Sequence, residues 1–454
     1  MSRPSRDGLV WSDGGFDLEP RWTREPLVAA IEKVCRRQLD INDGASCDVS
    51  FYAAGAFNNL YLIQSDGSRV IMRVSLPVDP GYKTRGEVAT LRWLRRWTST
   101  PVPRVFAFDD SNDNEIGFEW ILMELMPGTS AYKRWRGMSM VQKTALVEKV
   151  AEYQADILGC RPQHEVFRSI GTLHTSIDNN GDQQQDHQES EARVKPSKMV
   201  SLVFFWGDHY DYDVPRGPFR SSHDWLSSLL RIVIMDYTTA LKEAEDEEDM
   251  EDAAAAVEVA QKLLALLPRI FPMIQHPPEQ TFLCHDDLSL QNILVDDNGI
   301  ITALLDWECV STMPSWAVTL MPKFLDGAQR EEEPDRDRYG DESTEDNDAL
   351  NSRSRSNDGG EHDEELDNEG KDELYWIHLL EFEKTQLRKV YAARMQQSRP
   401  DWTTEVEDSS LKTDFFEAIH RCRNGFHLQR ISQWTDAITR GDFRRLAETL
   451  HTGR

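Results

Sequence analysis

Apolar positions along the chain change period repeatedly, and the changes mark out its elements. Glu25–Leu39 places Leu27, Ala30, Ile31, Val34 and Leu39 at helical spacing and predicts one amphipathic helix. From Ser46 to Met126 the pattern shortens to strands: Cys47–Ala53, Leu60–Gln64, Val70–Val74, Val102–Asp109 and Trp120–Leu125. Asp66-Gly67, set between two of these apolar runs, is a hairpin signal. A helix over Tyr82–Trp97 interrupts the strands, with Val88, Leu91, Trp93 and Leu94 on its buried face and Glu87 near its start. Met126-Pro127-Gly128 ends this region, and residues 138–160 return to helical spacing through Ala145, Leu146, Val150, Tyr153 and Ile157.

Further on, residues 176–197 are poor in apolar residues and predict an exposed excursion. Met199–Phe219 is dense in aromatics. A helix over Trp225–Leu241 follows, with Ser222 and Asp224 as capping candidates. The acidic run 243–252 is expected to extend that helix or to form a loop, and a second helix over Ala253–Leu267 is expected to stop at Pro268. Thr281–Trp307 reads as strand, polar loop, strand, tight turn around Asp296-Asp297-Asn298-Gly299, and strand. Residues 331–373 lose nearly all large apolar residues and predict an acidic disordered insertion, after which Leu374–Arg394 and Leu411–Leu450 resume amphipathic helices. The expected layout is an N-terminal arm and helix over 1–45, a strand-rich region over 46–126, a mainly helical region over 127–330, the insertion over 331–373, and helices over 374–454 that pack back on the helical region. There is no internal repeat.

Composition adjusts this picture in one respect. The net charge of the 454 residues is −28, but residues 331–373 supply −14 of it and residues 243–252 supply −8. The rest of the chain is only mildly acidic and has no basic stripe, so a nucleic-acid partner is not expected. No apolar run approaches the ~20 residues of a membrane-spanning helix, and the first 20 residues lack the apolar core of a secretory signal. Cytoplasm is the expected location, with mitochondria as the alternative. Cys35, Cys47, Cys160, Cys284, Cys309 and Cys422 are scattered without metal-ligand spacing and are expected to be reduced thiols. Asp208, Asp211 and Asp213 among the aromatics of Phe204–Phe219 could serve a cationic amine by charge and cation–π attraction, but an aromatic-rich packed loop is the reading preferred.

The chemistry concentrates in Thr281–Trp307. His285-x-Asp287-x-x-x-x-Asn292 has the spacing of the catalytic loop of kinase-fold enzymes, and Asp306 follows Asn292 by fourteen residues, at the end of the third strand. Phosphoryl transfer needs a carboxylate that orients a hydroxyl and oxygen ligands for a hard cation. With His285-Asp286-Asp287-Leu288-Ser289, Asn292-Ile293-Leu294-Val295 and Asp306-Trp307-Glu308, the stretch resembles the aminoglycoside phosphotransferase and choline kinase-like family of the protein-kinase-like superfamily. Asp-Trp-Glu stands where protein kinases carry Asp-Phe-Gly, which argues against a protein kinase.

That resemblance, over roughly residues 45–330, implies a bilobal α+β fold with a five-stranded antiparallel N-lobe sheet plus helix, a mainly helical C-lobe, and a site in the cleft. It implies ATP and Mg2+ as cofactors and a small-molecule hydroxyl as acceptor. Asp287 would be the catalytic carboxylate, Asn292 and Asp306 the metal ligands, and His285 a buttress of the loop. The turn at Gly55 would cover the nucleotide phosphates, and the backbone of Glu124 and Met126 would bind adenine. Where the family carries a strand Lys paired with a helix Glu, this sequence has Arg73 and Glu87. Lys83 is a weaker substitute because it falls in a loop or first helical turn. Glu308 has two open readings, facing the acceptor or forming a salt bridge. The function expected is a small-molecule phosphotransferase; the alternative is a catalytically weak nucleotide-binding regulator or scaffold, motivated by Arg73, the single-glycine turn and the acidic insertion. The acceptor and the oligomeric state are not legible.

Overall fold

A computed structural model describes residues 4–14, 18–159, 167–175, 194–273, 278–340 and 370–451. The chain divides into two compact units. The first comprises Met1–Gly159, Asp286–Glu308 and Met321–Pro400; the second comprises Cys160–His285, Cys309–Leu320 and Asp401–Arg454.

The first unit opens with a hairpin, β1 (Leu9–Asp13) and β2 (Leu18–Trp22), followed by α1 (Val28–Gln38). Then come β3 (Asp48–Ala54), β4 (Asn58–Ser65), β5 (Ser68–Ser75), α2 (Tyr82–Trp97), β6 (Val105–Asp109) and β7 (Glu119–Glu124). The strands form one antiparallel five-stranded sheet in the order β3-β4-β5-β7-β6. Asp66 and Gly67 both take positive φ, 46° and 81°, as the tight turn joining β4 to β5 requires, and the two strands stay in register from Asn58↔Ser75 to Ser65↔Ser68.

Alternation along the strands then decides what each face carries. Tyr61, Ile63, Val70, Met72, Val74, Trp120 and Leu122 pack with Ile31, Val34 and Cys35 of α1. The opposite face holds Leu62, Ile71, Ile121 and Met123 against Val88 of α2. Asn58, Arg73 and Ser75 share parity with Leu62 and Ile71, so three polar side chains are committed to the α2 face.

The remainder of this unit contains β8 (Thr129–Ser130), α3 (Ala131–Arg134), α4 (Met140–Leu158), β12 (Ile293–Val295) and β13 (Ile301–Leu304), with β8, β12 and β13 forming a small antiparallel sheet. A reciprocal capping box between Ser139 and Gln142 starts α4. A late helix, α8 (Glu373–Ser398), packs on α4: the buried Glu383 accepts from Lys143 Nζ at 2.6 Å and from Trp135 Nε1 at 3.0 Å. Of the predicted acidic insertion, residues 341–369 lie outside the described residues, while 331–340 run beside α8, with Lys389 bonded to Glu331 and Tyr339 to His378.

The second unit has the antiparallel sheet β10-β9-β14-β11, built from β9 (Gly171–Thr175), β10 (Val194–Pro196), β11 (Thr281–Cys284) and β14 (Ser311–Pro314). Its helices are α5 (Leu202–Phe205), α6 (Ser222–Glu243), α7 (Glu247–Ile270), α9 (Trp402–Arg421), α10 (Gly425–Thr439) and α11 (Leu446–His451). Trp225, Phe271, Trp316, Phe415 and Phe416 pack together in it, Trp225 stacked on Trp316 and the other pairs tilted or edge-to-face.

Three sequence expectations need correction here. The α6 cap is Ser221, whose hydroxyl accepts from Asp224 N–H, because Ser222 is already helical. Pro268 does not end α7. It sits in the last turn, where it removes one backbone bond, and the buried Leu263, Leu266, Leu267 and Phe271 hold the turn in place. The acidic run splits at Asp246, which caps α7 and puts Glu247, Glu248 and Asp249 at the favourable end of its dipole. Of the exposed excursion expected over 176–197, residues 176–193 lie outside the described residues and Val194–Pro196 form β10. Arg216 donates to the carbonyls of Phe204, His209, Tyr210 and Tyr212, so the aromatic segment is a packed loop tied by one guanidinium. Among the described residues all five cysteines are free, and no helix is long and apolar enough to cross a membrane.

Candidate active site

The β12–β13 ladder brings the distant polar residues of Thr281–Trp307 together. Ile293 pairs with Leu304, and one step beyond, Leu305 N–H donates to Asn292 carbonyl at 2.8 Å. Asn292 and Asp306 therefore leave the same end of the hairpin. The Asn292 side-chain amide donates back to Asp287 carbonyl at 2.9 Å, which draws the loop closed and fixes the start of the Asp287 side chain. Asp306 takes φ +61°, a left-handed conformation that Asp tolerates better than most residues. The buried Trp307 anchors that turn through Nε1 to Leu304 carbonyl at 2.9 Å.

Asp287 is half exposed, and its carboxylate accepts from Lys323 Nζ. Lys323 opens a 3-10 turn, Lys323–Leu325, that is itself pinned: Phe324 N–H donates to Leu288 carbonyl at 3.0 Å, and Arg388 of α8 donates to Leu325 carbonyl at 2.9 Å. No sequence signal pointed to Lys323, because the contact spans 36 residues.

On the α2 face of the large sheet, Arg73 Nη1 donates to Glu87 Oε1 at 2.7 Å. Its other arm, Nη2, lies 2.6 Å from Glu308 Oε2 and 3.4 Å from Asp306 Oδ1. Lys83, one helical turn before Glu87, points the same way. It is 2 % exposed, and its Nζ reaches Glu308 Oε2 at 2.5 Å and Asn58 Oδ1 at 2.9 Å. Lys83 does lie in the first turn of α2, but that turn faces the sheet, so its side chain belongs to the site. Asn58 completes the group, its Nδ2 donating to Glu308 Oε2 at 3.0 Å and its Oδ1 accepting from Ser75 Oγ at 2.7 Å. Glu308 thus forms salt bridges, to both cations.

The charges push on one another. Burial works against ionised Glu308, but Arg73 and Lys83 prevail and hold it well below the ordinary carboxylate range, at about 2. Burial, then Glu308, raises Asp306 to about 6, with Arg73 and Lys83 opposing. Burial likewise raises Glu87 against the pull of Arg73. Burial also disfavours the Arg73 charge, and Glu308, Glu87 and Asp306 outweigh it.

The remaining predicted residues are placed less centrally. Gly55 lies in the β3–β4 turn, its N–H donating to Asn58 carbonyl at 2.8 Å; a Cβ there would meet nothing within 4 Å, so the fold does not demand glycine. Glu124 ends β7 and spends its N–H on Arg104 carbonyl at 2.9 Å. Met126 follows in the segment that Gly128 closes: with φ +113°, any Cβ there would sit 2.5 Å from Thr302 Oγ1. Among the described residues no group of three or more His, Cys, Asp or Glu is arranged for a metal. The side-chain oxygens of Asn292 and Asp306 still suit Mg2+, a hard ion that keeps several waters and shares phosphate oxygens with a nucleotide.

The model of the phosphotransferase enzyme family matches residues 48–317, more than half of the chain. The chain belongs to this family. Its five-stranded antiparallel sheet with α2, and the mainly helical remainder, are the family's kinase-like α+β fold. Among relatives of this phosphotransferase-family chain, a subtelomeric hrmA-associated cluster protein of Aspergillus fumigatus is 27% identical over 318 residues, covering 61% of this chain and 60% of the relative. The altered inheritance of mitochondria protein 9, mitochondrial, of Candida tropicalis is 27% identical over 143 residues, 29% of this chain and 22% of the relative. The chain thus spans about 60% of the first relative's length and less of the second. The crystal structure of ADP-bound aminoglycoside phosphotransferase APH(2'')-Ib aligns with 94% of this chain and 98% of its own, at a TM-score of 0.44 and 12% identity.

Proposed function

We propose that this family member is an ATP- and Mg2+-dependent phosphotransferase that moves the γ-phosphoryl group to a hydroxyl of a small molecule. The observation that carries the reading is the β12–β13 hairpin, which sets Asn292 beside Asp306 while Asn292 ties back the loop bearing Asp287. Asp287 orients the acceptor hydroxyl and takes its proton as the new P–O bond forms and ADP leaves. Lys323 holds the Asp287 carboxylate in place. Asn292 and Asp306 would hold Mg2+ through their side-chain oxygens, and the ion would supply positive charge to offset that of the nucleotide phosphates. Arg73, aligned by Glu87, grips phosphate; Gly55 leaves the β3–β4 turn open for it; and adenine is bound by Glu124 carbonyl and Met126 N–H.

The test is the Asp287→Ala variant in an ATP-consumption assay against pooled metabolites, with Mg2+–ATP titrated by calorimetry. Turnover is expected to vanish while binding persists. Unchanged turnover in the variant refutes the assignment. A second reading, a nucleotide-binding regulator, is favoured by one observation: Glu308 already engages Arg73 and Lys83. Wild-type binding without turnover on any metabolite would establish it. The Candida relative carries "mitochondrial" in its name, which supports the mitochondrial alternative for location; fractionation of cells expressing the tagged chain decides between the two.

A further inference from the structure

The polar group on the α2 face has more positive charge than one strand Arg supplies, and that charge converges on a point. Three donors meet at a single oxygen, Glu308 Oε2: Arg73 Nη2 at 2.6 Å, Lys83 Nζ at 2.5 Å and Asn58 Nδ2 at 3.0 Å. Two cations and an amide directed at one oxygen make an anion site, and a phosphate oxygen asks for the same partners as a carboxylate oxygen. The position borders the groups that a nucleotide needs. Asn58 begins the strand after the Gly55 turn, and Arg73 Nη2 is also 3.4 Å from Asp306 Oδ1.

Two further facts mark the arrangement as waiting for a ligand. Arg73 Nε and Glu87 Oε2 are buried and have no hydrogen-bond partner among the described residues, although Arg73 and Glu87 are only 8 % and 2 % exposed. Buried polar atoms are normally satisfied, and orphans of this kind cluster where a ligand or water completes the network. In addition, three carboxylates, Glu87, Asp306 and Glu308, face two cations. A polyphosphate cannot join such a group unless one carboxylate withdraws, since buried unpaired charge is costly. Glu308 is the one that holds both cations.

We propose that Lys83, together with Arg73, is a phosphate-binding residue of the nucleotide site, and that Glu308 occupies their shared anion position until a nucleotide phosphate displaces it. The proposal rests on the nucleotide reading above and adds to it a residue from a helix turn outside the strand where the family's cation lies. Glu308 is then a built-in competitor that sets the affinity for ATP.

Calorimetry on the full chain tests this with Mg2+–ATP and, separately, adenosine, for wild type, Lys83→Met, Lys83→Arg and Glu308→Gln. Loss of a charge-assisted contact predicts that Lys83→Met weakens Mg2+–ATP roughly 10- to 100-fold and leaves adenosine within about twofold. Lys83→Arg recovers most of the loss, and Glu308→Gln binds Mg2+–ATP several-fold more tightly. Equal losses for ATP and adenosine in Lys83→Met, or no loss for either, would overturn the proposal. So would a Glu308→Gln variant that loses ATP as Lys83→Met does, because Glu308 would then be positioning the cations rather than competing for them. Should Lys83→Met fail to fold, the Glu308→Gln result still decides. A wild-type chain that binds no nucleotide refutes the functional reading and the proposal with it; a wild type that binds ATP while Lys83→Met is unaffected refutes the proposal alone.

Discussion

Glu119 offers a quantitative test of how the site's helix is held. It begins β7, is 2 % exposed, and its Oε1 accepts Gly81 N–H at 2.5 Å, at the residue that precedes α2. Burial raises its carboxyl from the ordinary 4.5 to about 7, even though the Gly81 amide and Lys83 favour the charged form. The folded chain therefore keeps a proton on Glu119 that the unfolded chain releases. Between these two values the native state binds more protons, so this group's contribution is fully present below about 4.5, falls as pH rises towards about 7, and stays at its lowest above that. A shift of about 2.5 units at 1.36 kcal/mol per unit corresponds to roughly 3 kcal/mol. Glu119→Gln keeps an oxygen acceptor for Gly81 and removes the titration. The variant is expected to exceed wild type in stability by about 1 kcal/mol or less at pH 5 and by about 3 kcal/mol at pH 8. Urea midpoints of both proteins at the two pH values measure this, and taking the difference cancels the other titrating groups. A variant whose stability tracks wild type in parallel across the range would refute the claim that Glu119 is buried with a retained proton.

Two further outcomes follow from single contacts. Lys323→Ala should leave Mg2+–ATP affinity unchanged and lower kcat about tenfold, because Asp287 loses its orienting partner; it should change stability by less than about 0.5 kcal/mol, since the pair is half exposed, and steady-state kinetics with thermal unfolding checks both. Gly128→Ala should cost about 2 kcal/mol or more, read from the urea midpoint, because the added Cβ would lie 2.5 Å from Thr302 Oγ1 and 2.7 Å from Val295 carbonyl at a φ of +113°.

Much of the first unit's sheet is legible in the sequence because it rests on local rules. Period-two alternation and Asp66-Gly67 determine the β4–β5 hairpin, and the register that follows puts Arg73 on the face that α2 covers. The spacing of Asp287, Asn292 and Asp306 is equally local, since a short hairpin joins the last two. What the sequence hides depends on direction or distance. Lys83 reads as a weak stand-in for the strand lysine because it falls in a loop or first helical turn; only the packing of that turn against Ser75 and Asn58 brings its side chain to the site. Lys323 depends on a turn pinned by Leu288 and by Arg388 of α8, whose sequence separations no periodicity reports. Pro268 shows the opposite error: a strong local breaker is overridden at a helix end by buried leucines and Phe271.

The Arg at position 73 makes physical sense once Glu308 is considered with it. A lysine ammonium is one compact point charge, whereas a guanidinium offers two arms in a fixed plane that can reach two carboxylates lying apart. Arg73 uses them separately, Nη1 on Glu87 at 2.7 Å and Nη2 on Glu308 at 2.6 Å, and so joins the helix carboxylate to the carboxylate two residues after Asp306. On the nucleotide reading proposed above, that second engagement occupies the arm a phosphate would meet. A further cation aimed at the same oxygen offsets this, and Lys83 is that cation, set four residues before Glu87 so that one face of α2 presents both. The departure at position 73 and the buried Lys83 are therefore two parts of one charge arrangement. Changing Arg73 to Lys without touching Glu308 would remove the bridge between α2 and the Asp306 turn, not restore an ordinary phosphate-binding lysine.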